Sequence, residues 1–408
     1  MRKRNVIISL DVGTSTIKAA LAEVNYNQDV NILGVARVPS YGLRKGNIID
    51  IEKTAKSIDN CLSELERLTG VEIFSALVGF SGISVSAVNN HAVVAVGNPN
   101  YEINQEDKER VIQSARNIAL PPDRTIVQTI ERQYIVDGYE GVRDPVGMVG
   151  SRLEVEVAII IAATAAIQNL QRSTQRINLR IDKIVYNPLL AAESVLLPTE
   201  KEMGVALVDI GGGTIEITYF EAGSIISTSV LPLGGEYITK DLAIVLKTSI
   251  EEAAKIKETE GVASMDMVED GRIINVRNVQ GKDVKQVSQQ VIADIISARI
   301  IEMLEMIYVE LKNFGCLGKL PGGIVLIGGE ARLPGIVNVM EDYLNLPVRL
   351  GMPENLRGIT TDFNCPQNAV VLGGLVYAAR DFSLNYERKD GASNVWGKIK
   401  YWFKDLFS

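Results

Sequence analysis

The sequence contains one histidine and three cysteines among its 408 residues. His91 has no second histidine with which to bind a metal ion, so histidine-based metal sites and serine–histidine or cysteine–histidine catalysis are nearly excluded. Cys61, Cys316 and Cys365 are far apart and odd in number. This pattern predicts reduced thiols in a reducing compartment, without a disulfide framework or a zinc cluster.

The chain also lacks a long apolar run and an excess of positive charge. No stretch reaches the roughly 18 apolar residues of a membrane span. The apolar run Val6–Leu10 stops at Asp11, whereas a signal peptide needs about 7–15 apolar residues, so this run is predicted to be a first strand. The formal net charge is −8, which disfavours nucleic acid, because its binding depends on Lys and Arg neutralising phosphates.

Strands and helices alternate along most of the chain, and several strands end in glycine-rich turns. The predicted strands are Val6–Leu10, Ile17–Val24, Ile73–Phe80, Ser84–Val96, Thr125–Val136, Leu153–Ala163, Ile181–Tyr186, Val205–Asp209 and Gly323–Ile327. The predicted helices are Lys53–Leu68, Asn104–Leu120, Ala166–Arg176, Asn187–Leu197, Val291–Leu311 and Ala369–Arg380. This order predicts an α/β fold of roughly two to three domain-sized units.

One motif occurs twice. Residues 11–17 read Asp-x-Gly-x-x-Thr-Ile and are followed by Glu23; the same pattern recurs at residues 209–215, followed by Glu221. Each pair of matching positions is separated by 198 residues. Each copy stands at the start of one half of the chain, which favours an internal duplication over two unrelated β-hairpins.

Two such turns that face each other are suited to the phosphates of a nucleotide. Glycine lets backbone N–H groups approach phosphate oxygens without a Cβ in the way. An aspartate at each strand end, Asp11 and Asp209, is suited to hold Mg²⁺, usually through water because Mg²⁺ dehydrates reluctantly. One copy alone is a weak signal, but the duplication and the glycine-containing segment Ile327–Gly335 together indicate a nucleotide site.

These motifs resemble those of the actin, Hsp70 and sugar-kinase superfamily, in the family's order and over almost the whole chain. Asp11–Thr16 and Asp209–Thr214 match its two phosphate loops, and Ile327–Gly335 matches its adenosine motif. Asn187–Leu197 and Ala369–Ala379 match its two connecting helices. Within the superfamily the chain resembles the FtsA family, through Gly42–Asp50, Leu120–Arg124, Val136–Gly138, Asp144–Met148 and Arg152–Glu156.

The resemblance implies an actin-like, ribonuclease H-like duplicated ATPase fold, with an inserted FtsA-type subdomain and a C-terminal amphipathic helix. It implies ATP and Mg²⁺ as ligands, with Mg²⁺ held through water by Asp11 and Asp209. The implied nucleotide-binding residues are Asp11, Gly13, Thr14, Ser15, Thr16, Lys18, Asp209, Gly211, Gly212, Gly213, Thr214, Gly234, Gly235, Lys257, Gly328, Gly329, Glu330 and Arg332.

Two departures from the superfamily pattern lower the expected catalytic power. Asn187 stands where Hsp70-like relatives have an acidic residue that orients the attacking water. Ala254 stands three residues before Lys257, where relatives often have a Glu that grips the ribose, and a register shift to Glu252 is a possible substitute. Because a positioned acid or base contributes about 10²–10⁴-fold, we expect nucleotide binding with slow hydrolysis at most, and we assign no catalytic residue.

The resemblance also predicts a division of the chain into subdomains. The first core subdomain comprises residues 1–80, 164–196 and 365–380, and residues 81–163 form the inserted interaction subdomain. The second core subdomain comprises residues 197–229 and 313–364, and residues 230–312 form an outer subdomain. Residues 381–393 are a linker, and residues 394–408 are a membrane-targeting helix.

The C-terminal segment of residues 394–408 carries both tryptophans of the chain. At about 100° per residue, its apolar residues fall in one arc and its lysines lie outside or at the edge of that arc. The membrane-contacting residues are predicted to be Val395, Trp396, Ile399, Trp402, Phe403, Leu406 and Phe407, with Lys398, Lys400 and Lys404 beside them. The alternative is a helix that docks on its own domain; the aromatic face, the polar linker and the family resemblance favour an anionic membrane surface.

The resemblance further implies partners and a location. Arg299 and Glu302 match the site at which the FtsA family receives the C-terminal peptide of FtsZ, the tubulin-like ring protein. A filament of this chain with itself, later division proteins bound by residues 81–163, and a place on the cytoplasmic side of the cell membrane at the division septum are also implied. The resemblance thus implies an ATP-binding scaffold that polymerises, anchors the FtsZ ring to the cytoplasmic membrane and helps to recruit later division proteins.

Three alternatives share the fold. A small-molecule kinase would need a general base in the cleft and no lipid-binding tail. A chaperone-like ATPase would need a substrate-binding domain, for which 408 residues leave no room after the ATPase core. An ATPase of type IV pilus assembly is the closest rival, because it shares the type of insert; Gly42–Asp50 and the tail favour the FtsA family.

Overall fold

The computed structural model describes residues 5–25, 29–354, 356–358 and 363–380. Its strands are β1 (Val6–Val12), β2 (Thr16–Val24), β3 (Val30–Pro39), β4 (Leu43–Arg44), β5 (Asn47–Ile48), β6 (Ser75–Phe80), β7 (Ser86–Ala95), β8 (Arg124–Val136), β9 (Tyr139–Val142), β10 (Arg152–Ala163), β11 (Arg180–Tyr186), β12 (Val205–Ile210), β13 (Ile215–Glu221), β14 (Ser224–Leu231), β15 (Ile273–Arg277), β16 (Val284–Ser288), β17 (Ile324–Ile327) and β18 (Val348–Leu350). Its α-helices are α1 (Ile51–Thr69), α2 (Gln105–Arg116), α3 (Thr164–Gln175), α4 (Asn187–Val195), α5 (Pro198–Met203), α6 (Gly235–Val245), α7 (Ile250–Glu260), α8 (Gln289–Asn313), α9 (Ile336–Leu344) and α10 (residues 369–380).

Two five-stranded sheets have the same topology. The strand order is β3-β2-β1-β6-β11 in the first sheet and β14-β13-β12-β17-β18 in the second. In each, three antiparallel strands are followed by two parallel ones. The hairpin of the repeated motif is β1–β2 in one sheet and β12–β13 in the other, so the duplication predicted from the sequence is present in the fold.

The local sequence accounts for the helices that cover these sheets. In α1, the Asp50 side chain accepts a hydrogen bond from the Lys53 backbone N–H at the N-cap. The helix ends where Gly70 takes a left-handed φ of 68°, as glycine does without a Cβ penalty. Ile58 and Leu65 on its predicted apolar face are fully buried in the core shared by both sheets. The connecting helices α4 and α10 can cross closely because residue 373 is glycine: a Cβ there would lie 1.8 Å from the Leu190 backbone oxygen and would clash with it.

The insert between β6 and α3 forms its own four-stranded sheet, in the order β7-β10-β8-β9, with a separate buried cluster beneath α2. Asn104 caps α2 in a reciprocal capping box with Asp107. The prediction that this helix reaches Leu120 is wrong: it ends at Arg116, and Asn117 leaves the helical conformation at φ −80° and ψ 75°. The short strand β9 was not predicted.

The elements between β14 and β17 pack on the second sheet. Helices α6, α7 and α8 and the hairpin β15–β16 share one buried cluster with β12, β13 and β17. No helix among the described residues is long and apolar enough to cross a lipid bilayer. The predicted linker of residues 381–393 and the predicted membrane helix of residues 394–408 lie outside the described residues.

Candidate functional site

A cleft of about 770 Å³ lies between the two repeated hairpin turns, within the size range of small-molecule sites. Most of the predicted nucleotide-binding residues line it: Asp11, Gly13, Thr14, Ser15, Thr16, Lys18, Asp209, Gly211, Gly212, Gly213, Thr214, Lys257, Gly328, Gly329, Glu330 and Arg332. Gly234 and Gly235 do not line the cleft but begin α6 directly behind it. Residues that are more than 300 positions apart in the chain thus share one cavity.

The two turns touch each other at one end of the cleft. A Cβ on Gly212 would lie 1.8 Å from Ser15 Oγ, and one on Gly213 would lie 2.7 Å from Thr14 Oγ1. The absence of a side chain at these positions therefore permits the hydroxyl-bearing turn to pack against the all-glycine turn. Ser15 Oγ also donates a hydrogen bond of 3.0 Å to Glu236 Oε1, which joins the first turn to α6.

The turns present backbone donors that have no partner in the described part of the chain. Gly13 N–H donates to Thr16 O and Gly211 N–H donates to Thr214 O, which closes each turn. The next two amides of each turn, at residues 14, 15, 212 and 213, donate to no described residue. Converging free N–H groups are the arrangement that binds phosphate oxygens.

The first hairpin carries a balanced ion pair on the floor of the cleft. Lys18 lies opposite Asp11 in the strand register, and its Nζ is 3.2 Å from Asp11 Oδ2. The same ammonium donates to the backbone oxygen of Gln367 at 2.6 Å. Both side chains are nearly buried, at 12% and 8% exposure, so the pair neutralises a carboxylate that would otherwise be costly to desolvate.

The second hairpin carries two acids at the equivalent positions. Glu216 lies opposite Asp209 in the register. Desolvation raises the pKa of Asp209 to about 6, with Lys18 opposing this shift and Asp11 adding to it. Desolvation, followed by the charge of Asp209, raises the pKa of Glu216 well above its ordinary value. Gly328, at a left-handed φ of 96°, leaves room for this pair, because a Cβ there would lie 2.3 Å from Asp209 Oδ1.

Two buried oxygens in the cleft have no hydrogen-bond partner in the described structure: Glu216 Oε2 and Asn187 Oδ1. Buried polar atoms without partners are costly and usually mark a site for water or a ligand. Together with the free amides and the paired acids, they fit a hydrated cation with a phosphate group. Asp11 and Asp209 would hold Mg²⁺ through water; among the described residues no three or more acid, histidine or cysteine side chains form a direct metal cage.

The opposite end of the cleft is built around a buried ion pair. Lys257 Nζ lies 2.6 Å from Glu330 Oε1 and donates to the Gly235 backbone oxygen at 3.2 Å. A Cβ on Gly235 would lie 1.7 Å from the Glu330 carboxylate, so glycine is required there. Ala254 lines the cleft, and Glu252 is not among the lining residues, so the suggested register shift does not bring Glu252 into the site.

Several lining residues were not predicted as site residues, and among them are four with polar side chains close to the turns: Arg37, Glu216, Glu236 and Gln367. Glu216 had a signal in the sequence, because the offset of 198 residues places it at the position equivalent to Lys18, which was predicted. Arg37, Glu236 and Gln367 follow no motif, and their positions depend on how β3, α6 and the turn before α10 pack around the hairpin turns.

The predicted partner residues lie on α8, outside the cleft lining. Arg299 Nε is 2.6 Å from Asp241 Oδ2 on α6, and its Nη1 is 2.5 Å from Glu302 Oε2. Arg299 and Glu302 are therefore in contact on the same helix; their assignment to a partner site stays a prediction. Arg299 is only 21% exposed, and any acidic partner would compete with Asp241 for its guanidinium.

Comparison with known families and proteins identifies two matching regions. Residues 206–373 match the family model described as cell division protein FtsA, and residues 82–161 match the SHS2 domain inserted in FtsA. Cell division protein FtsA of Pseudomonas aeruginosa is 34% identical, with 98% of each chain covered. That of Bacillus subtilis is 39% identical, with 93% of this chain and 85% of the relative covered.

Solved structures with low sequence identity share the fold. The PilM–PilN type IV pilus biogenesis complex has a TM-score of 0.65 at 18% identity, covering 91% of this chain and 98% of the other. MreB5 of Spiroplasma citri bound to ADP has a TM-score of 0.57 at 14% identity, covering 94% and 98%. The MamK double helical filament has a TM-score of 0.52 at 12% identity, covering 91% and 98%. The fold is therefore the actin-like α/β fold with an SHS2 insert, as the sequence predicts.

The pilus-assembly and small-molecule kinase alternatives are not favoured by these matches. The similarity to PilM is one of fold, whereas the FtsA relatives match over nearly the full length of both chains. The two family models match in the expected order along the chain. The match to the insert comes first, and the match that follows it includes the second copy of the hairpin and the adenosine segment. The chain belongs to the FtsA family of cell division proteins.

Proposed function

We propose that the chain binds ATP with Mg²⁺ in the cleft between the two repeated turns. The observation that carries this proposal is the pair of facing turns, each with two free backbone amides and an aspartate at the preceding strand end. Mg²⁺, when bound, offsets phosphate charge that would otherwise repel Asp209 and Glu216. The structural relative MreB5 has been solved with ADP, which supports a nucleotide in this fold.

One end of the cleft would bind the phosphates of the nucleotide, and the other end would bind its nucleoside. The amides of residues 14, 15, 212 and 213 would hold phosphate oxygens, and Asp11 and Asp209 would orient the hydrated cation. At the other end, Ile250, Ala254 and Leu333 provide an apolar wall that suits a nucleobase. Lys257 and Glu330 border this wall as a fixed polar edge.

We expect hydrolysis to be slow. Asn187 is too weak a base to take a proton from water, and its buried Oδ1 is free only to accept a hydrogen bond. Glu216 is the one cleft acid that has a buried oxygen without a partner in the described structure, so it is the group best placed to orient a water near the phosphates. Its raised pKa makes its ionised form a stronger base than an ordinary carboxylate, although a smaller fraction of the group is ionised at neutral pH.

We further propose that the chain is a polymerising scaffold that attaches the FtsZ ring to the cytoplasmic side of the cell membrane at the division septum. Membership of the FtsA family supports this role, and the MamK filament is an assembly of the same fold. Arg299 and Glu302 would bind the C-terminal peptide of FtsZ, residues 394–408 would bind anionic lipid, and residues 81–163 would recruit later division proteins. Several tails in one filament would strengthen a weak single attachment.

Nucleotide titration tests the first proposal. A fluorescent ATP analogue with Mg²⁺ should bind the full chain, and Asp209→Asn should weaken this binding about ten-fold or more, the loss of one charge-assisted contact. Glu221→Gln, an acid-to-amide change at the end of β13 remote from the turn of the same hairpin, is the matched control and should bind as the wild type does. Absence of binding to the wild type would refute the proposal.

Reconstitution on lipid tests the second proposal. Electron microscopy of the full chain on anionic vesicles with ATP should show filaments that recruit FtsZ. A chain ending at Ser393 should remain in the supernatant when vesicles are sedimented, and Arg299→Glu should abolish FtsZ recruitment but leave nucleotide binding intact. If the shortened chain sediments as fully as the complete one, the membrane assignment is wrong.

A further inference from the structure

One aromatic ring on α6 is contacted by cations from three different elements. Lys240 Nζ lies 5.1 Å from the centroid of the Tyr237 ring, Lys45 Nζ lies at 5.7 Å and Arg299 Cζ at 5.8 Å. Each distance is within the range of a cation–π contact. Lys45 belongs to the turn between β4 and β5, which is bonded to the first hairpin turn, whereas α6 and α8 pack on the second sheet. The ring therefore joins the two sides of the molecule.

The charges around this ring are unbalanced. Arg299 is paired with Asp241 and Glu302, whereas Lys45 and Lys240 have no carboxylate partner among the described residues. The two lysines and Arg299 therefore form a cationic rim, here defined as these three residues around Tyr237. A rim of this kind fits an acidic peptide segment, whose carboxylates would supply the missing partners.

The position of Lys45 depends on the first hairpin turn of the cleft. Lys45 and Gly46 both take left-handed conformations, with φ of 51° and 73°. Gly46 N–H donates to Thr14 Oγ1 at 2.9 Å, and a Cβ on Gly46 would lie 2.8 Å from Gly82 Cα. The turn that carries Lys45 is thus attached to the turn that carries the free amides.

The position of Tyr237 depends on both turns. The N–H groups of Gly235 and Glu236 donate to the backbone oxygens of Gly211 and Gly212, each at 2.9 Å. Glu236 Oε1 accepts the hydrogen bond from Ser15 Oγ, and Tyr237 is the next residue. Both ends of the contact between Lys45 and Tyr237 are therefore anchored within one or two residues of the cleft.

We propose that the partner surface around Arg299 extends across the cleft to Lys45, and that nucleotide binding weakens the binding of an acidic partner segment by moving Lys45 away from the rim. This inference rests on the proposed function. The two turns touch, and a phosphate between them would meet Ser15, Gly212 and the Glu236 carboxylate. Its entry separates the turns and carries Lys45 away from Tyr237. By linkage, the acidic segment weakens nucleotide binding by the same factor.

Fluorescence anisotropy of a labelled peptide with the C-terminal sequence of an FtsZ protein tests this inference on the full chain. A non-hydrolysable ATP analogue with Mg²⁺ should raise the peptide Kd by about five-fold or more, the lower end of typical couplings. Lys45→Met should reduce this change at least by half, without altering the affinity for nucleotide measured alone. Lys45→Arg should restore it, since the charge returns.

Arg44→Met is the matched control, because it removes a charge from the adjacent residue of the same hairpin, which is exposed and lies outside the rim; it should behave as the wild type. If the nucleotide does not change peptide affinity in the wild type, or changes it equally in Lys45→Met, the inference is overturned while the FtsZ assignment stands. If the peptide fails to bind the wild type at all, the FtsZ assignment fails and the inference fails with it.

Discussion

The two hairpins that face each other across the cleft have the same topology but opposite charge balance. At the position opposite the strand-end aspartate, the first hairpin has Lys18 and the second has Glu216. Asp11 is therefore paired within its own hairpin, whereas Asp209 lies beside a second acid and has a raised pKa. The two hairpins share their backbone geometry but differ at one register position, which is Lys18 in the first and Glu216 in the second. The second hairpin therefore has no cation of its own to pair with its aspartate.

The turns of the two hairpins differ in a complementary way. The first turn has hydroxyl side chains at residues 14 and 15, and the second has glycine at both equivalent positions. Because the turns touch, side chains on both would collide. The comparison thus shows one hairpin whose aspartate is paired with its own lysine and whose turn fills space. The other hairpin has a turn that leaves space, and it carries an additional acid in place of the lysine.

The largest effect is expected where the balanced hairpin is broken. Lys18→Met leaves the nearly buried Asp11 without its cation and should lower the free energy of unfolding by about 3 kcal/mol, measured by urea denaturation. Lys53→Met, which breaks the exposed ion pair with Asp50, is the control and should cause no comparable loss. Similar losses in the two variants would show that the Asp11–Lys18 pair does not balance the hairpin.

The next effect concerns the contact between the turns. Gly212→Ala places a Cβ against Ser15 and should destabilise the protein by about 1–3 kcal/mol, the usual cost of overpacking. Adding Ser15→Gly should recover most of this loss, because it removes the colliding group. Gly329→Ala is the control, since a Cβ there meets no atom within 4 Å. A double variant no more stable than Gly212→Ala would contradict the proposed complementarity.

The sequence revealed the turns because their constraints are local. Asp, Gly and Thr at fixed spacing encode a strand end and a tight turn, so the repeat at residues 11–17 and 209–215 predicted both hairpins and the part of the cleft lining that their turns form. The offset of 198 residues also relates Glu216 to Lys18, and so to the position opposite Asp209. The residue type alone, however, does not indicate the pKa of Glu216, which depends on its surroundings. The protonation of Glu216 depends on desolvation, which arises only when the two halves pack together.

Other features could not be predicted, because they depend on contacts between distant segments. Glu236 accepts a hydrogen bond from Ser15, which is 221 residues away in the sequence. Lys257 forms its ion pair with Glu330, whereas the family pattern places a glutamate in α7 at the position of Ala254. The end of α2 at Arg116 was also missed, since helix termini depend on the packing of the chain that follows. The fold was thus readable from periodicity and motifs, and the electrostatics of the cleft were not.

The smallest effect, of opposite sign, is expected at the unbalanced hairpin. Glu216 has a raised pKa in the folded state, so its ionisation above its ordinary pKa favours the unfolded chain, and this penalty grows as the pH rises. Glu216→Gln removes the penalty and should raise the free energy of unfolding by about 1 kcal/mol near pH 7, less at low pH. Because the same change removes the carboxylate that accepts a proton from the oriented water, ATP hydrolysis should fall while nucleotide affinity stays within about three-fold. Urea denaturation at two pH values and a phosphate-release assay measure the two effects. A variant that is less stable than the wild type, or that hydrolyses ATP at the same rate, would show that the surplus acid of the second hairpin is structural and not functional.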